Sequence, residues 1–201
     1  MSKRLPSSLG FVSLIGGVLF PLLLLVLSSL LAGGPSAVLA GVATRAVLVT
    51  FVFFLAGVAG LYLAQRDALG IPGRAGAAVL AVGLLLTIVE GLLTATDVAV
   101  PFEDVLAQGA AALMVVGAVG FGTATARAEV LLHARAGGVL LAAALPATFL
   151  GTLAMDVAGI QSTVLSALVV GVPFGLAWTV IGFDLMTIRD YGQIVEGRET
   201  T

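Results

Sequence analysis

Six stretches of the chain are apolar for long enough to cross a bilayer as helices, and short polar or Gly/Pro-rich segments part them. This pattern predicts helices over approximately residues 11–32, 39–64, 76–96, 105–126, 136–158 and 163–186, with a short charged tail at 188–201 that frays beyond its first turn. Gly33, Gly34 and Pro35 form the first turn. Gln65–Ala75, Asp97–Asp104, Arg127–Arg135 and Gly159–Ser162 form the other connections. The basic start, Met1–Ser8, before an apolar run has the layout of a signal peptide. That run is too long for one and holds Pro21 in its middle, so it reads as a retained first helix.

The third run, Gly76–Asp97, departs from a uniform apolar pattern. Gly83, Thr87, Glu90, Thr94 and Asp97 recur at alternating spacings of 4 and 3, so on a helix they share one face, opposite Val, Leu and Ile. A helix surrounded by lipid has no use for such a stripe, whereas one that faces partner helices or a wet cavity does. The fourth run is instead rich in small residues, Gly109, Gly117, Gly120 and Gly122 among them, which allows close helix packing.

Composition agrees with the pattern. Of 201 residues, 60% are hydrophobic and 10% charged, with a mean hydropathy of +1.19. The expected fold is an all-α integral membrane protein, a single six-helix transmembrane domain whose main partner is the lipid bilayer of the cell membrane. Other membrane subunits or further copies of the chain are candidate protein partners. A net charge of −2 without a basic run gives nucleic acid nothing to bind, and the lack of cysteine excludes disulfides, thiolate metal sites and cysteine nucleophiles.

Charge placement orients the bundle. With the amino terminus inside, the inner segments hold Lys3, Arg4, Arg66, Arg74, Arg127, Arg135, Arg189 and Arg198, and the outer loops hold only the acids Asp97, Glu103, Asp104 and Asp156. The positive-inside rule therefore places both termini in the cytoplasm. Trp178 lies well within the last helix and is not an interfacial anchor. A shift of 61 positions lays residues 66–93 on 127–154 with 9 identities in 28 pairs, matching Arg66 with Arg127, Arg74 with Arg135 and Thr87 with Thr148. That register describes parallel repeats of helical hairpins. Glu90 falls opposite Gly151, so the acid belongs to one copy only.

The sharpest candidate for chemistry is Glu90 with Arg45. Glu90 lies six residues before Thr96, about 9 Å below the outer end of its helix. Arg45, the one basic residue away from the inner side, falls at a similar depth on the antiparallel neighbour. An ionised carboxylate in hydrocarbon is costly, and a cation at equal depth relieves it. Glu90, Arg45, Thr87 and Thr94 thus make a candidate ligand site in the outer half. Asp156, on one face with Thr148 and Thr152, is a further member. Asp184 reads as a boundary residue near the inner end of the last helix. His133, a lone histidine in an inner loop, has no neighbouring ligands that would make a metal site.

The chain contains no G-x-S-x-G, no H-E-x-x-H and no visible nucleophile–base pair, and Gly120-Phe121-Gly122 sits inside an apolar run where no phosphate loop can form. The reading leans away from an enzyme and names no cofactor. It points to a small transport or ligand-binding membrane module with a buried polar site in the outer half. The alternative is a structural or accessory subunit with no ligand of its own.

Overall fold

The structure, a computed structural model, describes residues 4–33, 37–96 and 102–199; at 4, 37, 40, 103 and 188–199 it describes the backbone alone. The expected Gly34-Pro35 turn, Lys3, Asp97 and Pro101 lie outside these residues, as do the side chains of Arg4, Glu103, Arg189 and Arg198.

Six helices follow in chain order: α1 (Arg4–Gly33), α2 (Ala37–Gln65), α3 (Ile71–Ala95), α4 (Glu103–Ala128), α5 (Ala134–Val157) and α6 (Thr163–Glu199). Each contains a segment of 24 or more residues that is long and apolar enough to span a membrane. With no strand among the described residues, the protein is an all-α, multi-pass membrane bundle.

The helices are longer at their polar ends than the apolar pattern predicts. α1 begins at Arg4, because Pro6 falls in its first turn, where the missing N–H is no loss. α3 begins at Ile71 for the same reason, with extended Gly70 as its N-cap and Pro72 inside the first turn. α6 continues through the charged segment to Glu199 and does not fray after one turn. Hydropathy marks where a helix enters the apolar layer; hydrogen bonding continues past that point. α5 stops at a Schellman turn. Gly159 takes φ +68°, its N–H bonds to the carbonyl of Asp156, and the Ile160 N–H reaches that of Met155.

Consecutive helices pack side by side, and α6 closes back on α1, so the six form a ring with α2 also touching α6. Glycine sets the closest approaches. A methyl group added at Gly182 of α6 would fall 2.5 Å from the backbone nitrogen of Leu14 on α1, and one at Gly175 would fall 2.8 Å from the ring of Pro21. Pro21 thus seats in a glycine notch of α6 and does not interrupt α1. α3 and α4 meet through Gly76 against Gly120 and Phe121, and through Gly83 against Met114; α4 and α5 meet through Gly122 and Gly138. Without water between helices, such backbone proximity supplies the dispersion contacts that hold a bundle together in lipid.

The interior of the ring is filled by side chains. Trp178 is fully buried, stacked on Phe54 at 5.4 Å and 16°, and Phe174, Phe20 and Phe51 surround the pair edge-on. This confirms that Trp178 is no interfacial anchor. Leu61, Leu80, Leu84, Leu141 and Leu185 continue the core.

Two pairs of positions 61 residues apart face the helix that follows their own. Gly76 meets Gly120 and Phe121, and its counterpart Gly137 faces Val180 and Ile181, where Gly120 shifts onto Ile181. Thr87 reaches Met114 on the next helix, and its counterpart Thr148 reaches the Val169 carbonyl on the next helix. The two threonine contacts are not in register, since the 61-residue shift carries Met114 onto Gly175 and not onto Val169.

Candidate functional site

The small-and-polar stripe of α3 faces a partner helix over its first half. Gly83 packs on Met114, and the Thr87 hydroxyl donates to the Gly83 carbonyl at 3.1 Å and to the Met114 sulfur at 3.7 Å. One turn on, Glu90 is half-buried, and the Thr94 hydroxyl donates to the Glu90 carbonyl at 3.1 Å. The Glu90 carboxylate has no hydrogen bond or ion pair among the described residues.

Arg45 and Glu90 do not come together. The buried stripe of α2 runs through Ala43, Val47, Thr50, Phe54, Val58 and Leu61. Arg45 stands two residues from both Ala43 and Val47, hence about 200° round the helix, and it is exposed. It forms no ion pair among the described residues. The two residues also differ in level: Gly91 meets Leu48, which puts Arg45 about a turn nearer the outer end than Glu90. A long cationic side chain on that face extends to the interface and needs no buried partner.

Asp156 is exposed in the last turn of α5, where its backbone carbonyl takes part in the Schellman turn. Thr148 and Thr152 turn their hydroxyls onto the carbonyls of Ala144 and Phe149. Of the five candidates, Thr87, Glu90 and Thr94 remain neighbours along one helix, and Arg45 and Asp156 stand apart from them.

No family model, curated protein or solved structure matches this chain. Its chemistry therefore rests on the side chains themselves.

Two polar contacts that sequence reasoning missed lie at the opposite end of the bundle. Asp184 is not a solvated acid at the helix end: it is 1% exposed. Its carboxylate accepts the His133 backbone N–H at 3.0 Å and contacts the His133 ring Nδ1 at 2.7 Å. His133 is the N-cap of α5, so one carboxylate from α6 holds the start of α5 by backbone and side chain together. A negative charge at a helix N-terminus is also favoured by the aligned peptide dipoles. The signal in the sequence is an acid flanked by Phe183 and Leu185, inside the apolar run and before its end. The partner, 51 positions away, is invisible to helical spacing.

The second contact joins α2 to α4. Gln65 and Thr125 are both buried, and the Gln65 amide nitrogen donates to the Thr125 hydroxyl at 2.6 Å. The amide oxygen of Gln65 and the indole N–H of Trp178 are buried without a protein partner among the described residues. Each costs about 1–3 kcal/mol of uncompensated desolvation. Among the described residues no group of three or more His, Asp or Glu side chains converges as a metal site would require.

Proposed function

We propose that the protein is a small transport or ligand-binding module of the cell membrane, with both termini cytoplasmic and its polar site centred on Glu90 in the outer half. The observation that carries this reading is the state of Glu90: a carboxyl group inside an apolar span, half-buried, with no side-chain partner among the described residues. At that depth it needs a proton, a metal cation or a cationic ligand. A helix with only a packing role would be more stable with an apolar side chain there. Thr87 and Thr94 donate to backbone carbonyls on the same helix, and the Thr87 oxygen keeps its lone pairs for a ligand. Arg45 enters as the outer anchor of α2, and Asp156 as an acid at the rim.

The test is the unfolding temperature of the purified protein across a panel of pH values, alkali and divalent cations, and small cationic or zwitterionic solutes. A species that binds the native state at a hundred times its Kd adds about 2.7 kcal/mol. The reading expects at least one condition to stabilise the native protein and not Glu90→Gln. If none does, or if the variant responds equally, the second reading holds. That reading, an accessory subunit with no ligand of its own, is favoured by the filled centre around Trp178, Phe54, Leu80 and Leu141.

A further inference from the structure

An open groove of about 590 Å³ runs between α4 and α5, at the end of the bundle that carries Arg127 and Arg135. Its rim holds both arginines and Glu129, and its walls include Thr123, Val139 and Ala142. We propose that this groove binds one anionic phospholipid of the adjoining leaflet, its phosphate held between Arg127 and Arg135 and an acyl chain laid along Val139 and Ala142. The proposal does not depend on the role of Glu90.

The floor exists because the two helices touch backbone to backbone. A methyl group at Gly122 would lie 2.6 Å from the Ala142 nitrogen, and one at Gly138 would lie 2.5 Å from the Ala126 nitrogen. Above that crossing the side chains are too short to fill the space between the helices. The groove follows α5 inward from Arg135 to Ala143, about 12 Å at 1.5 Å per residue. A depth of that order accommodates the upper part of an acyl chain. With depth the lining passes from the two cations to Ala126 and Val139, and then to Ala142, Ala143 and the Thr123 side chain.

The charge at the rim is available. Arg127 sits in the last turn of α4 and Arg135 in the first turn of α5, both exposed. Neither makes a hydrogen bond or ion pair among the described residues. Glu129 also lines the rim, at the end of α4 where the backbone turns left-handed with φ 51°. Two guanidinium groups against one carboxylate leave a net positive rim. Such a rim selects a phosphodiester whose headgroup has no cation of its own, since choline would meet the arginines.

A second groove offers an internal comparison. It is about 390 Å³, lies between α2 and α3, and is lined by Tyr62, Arg74, Ala78 and Ala81 among others. The 61-residue shift carries these four onto Thr123, Arg135, Val139 and Ala142. There, however, Arg74 already donates to the Arg66 carbonyl at 3.0 Å, and no second arginine lines the groove. The apolar wall is common to both grooves; the paired free cations belong to the α4–α5 groove, and the assignment is limited to it.

The full-length protein in a mild non-ionic detergent is titrated with phosphatidylglycerol, with phosphatidylcholine of the same chain length, and with inorganic phosphate, while its unfolding temperature is followed. The proposal expects phosphatidylglycerol to stabilise at about tenfold lower concentration than phosphatidylcholine. It expects R127Q/R135Q to lose that preference and keep its unliganded unfolding temperature, because neither side chain holds the fold together. V139W keeps both charges but fills the wall, and it too loses the preference. If the double variant does not fold, R127Q or R135Q alone shows a smaller loss of the same kind. Equal response to the two lipids overturns the proposal, as does a preference that survives R127Q/R135Q. A preference that survives V139W assigns it to diffuse surface charge and overturns the groove. Stabilisation by inorganic phosphate equal to that by phosphatidylglycerol assigns the site to a soluble anion and overturns the lipid.

Discussion

Asp184 should be the costliest side chain to remove at the end of the bundle that carries Arg127 and Arg135. Its carboxylate, 1% exposed, satisfies two groups of His133 at once, the backbone N–H at 3.0 Å and the ring Nδ1 at 2.7 Å. Hydrogen bonds to an ionised group contribute about 1.5–3 kcal/mol each. The ring bond is worth the lower end, because the His133 side chain is 48% exposed and water competes for it. The backbone bond is worth more, since Asp184 itself is dry and the N–H lies at the start of α5. Asp184→Ala breaks both and should cost about 3–5 kcal/mol, the sum of the two bonds. His133→Ala breaks only the ring bond and should cost about 1.5 kcal/mol. Asp184→Asn keeps an acceptor for the backbone N–H and should fall between them. Equilibrium unfolding in mixed detergent micelles gives all three values. Two results would refute the reasoning: Asp184→Ala within about 0.5 kcal/mol of the native protein, or His133→Ala costing as much as Asp184→Ala.

Two further expectations concern packing and topology. Gly117→Ala pushes a methyl group onto the backbone nitrogen of Leu80 and should destabilise by about 1–3 kcal/mol or more, while Gly109→Ala, on the same helix with nothing within 4 Å, should be neutral or stabilise slightly; denaturation midpoints of the two variants decide this. Single cysteines on the otherwise cysteine-free chain report sidedness: one at Ala158 should label with an impermeant reagent in intact cells, and one at Gly70 only after permeabilisation. The reverse result would invert the bundle.

The number of helices and the residues that fill them were legible because the bilayer imposes a length on every apolar run. The helix ends were not, since Arg4–Gly10 and Ile71–Ala75 are helical outside the runs that the apolar pattern predicts. The glycines of α4 announced close packing, and Gly117 and Gly122 deliver it against α3 and α5. The candidate site was legible in one coordinate only. Counting residues from a helix end gives depth, and by that count Arg45 and Glu90 agree to within about a turn. The direction round the helix depends on which face the neighbours bury, and on α2 that face passes through Val47 and Phe54, away from Arg45. His133 and Asp184 were each visible as unusual residues, but their meeting is a product of the ring closing through α5 and α6, which no local pattern encodes.

Chemical modification tests the proposed Glu90 site most directly. A hydrophobic carbodiimide partitions into the bilayer and reacts with protonated carboxyl groups that it can reach, and peptide mass analysis locates the adduct. The account predicts modification of Glu90 in intact membranes, slowed under whichever condition of the stability panel stabilises the native protein, with Asp184 left unmodified behind its two hydrogen bonds to His133. An unmodified Glu90, or one modified at a rate that no ion, solute or pH changes, would contradict a ligand site there.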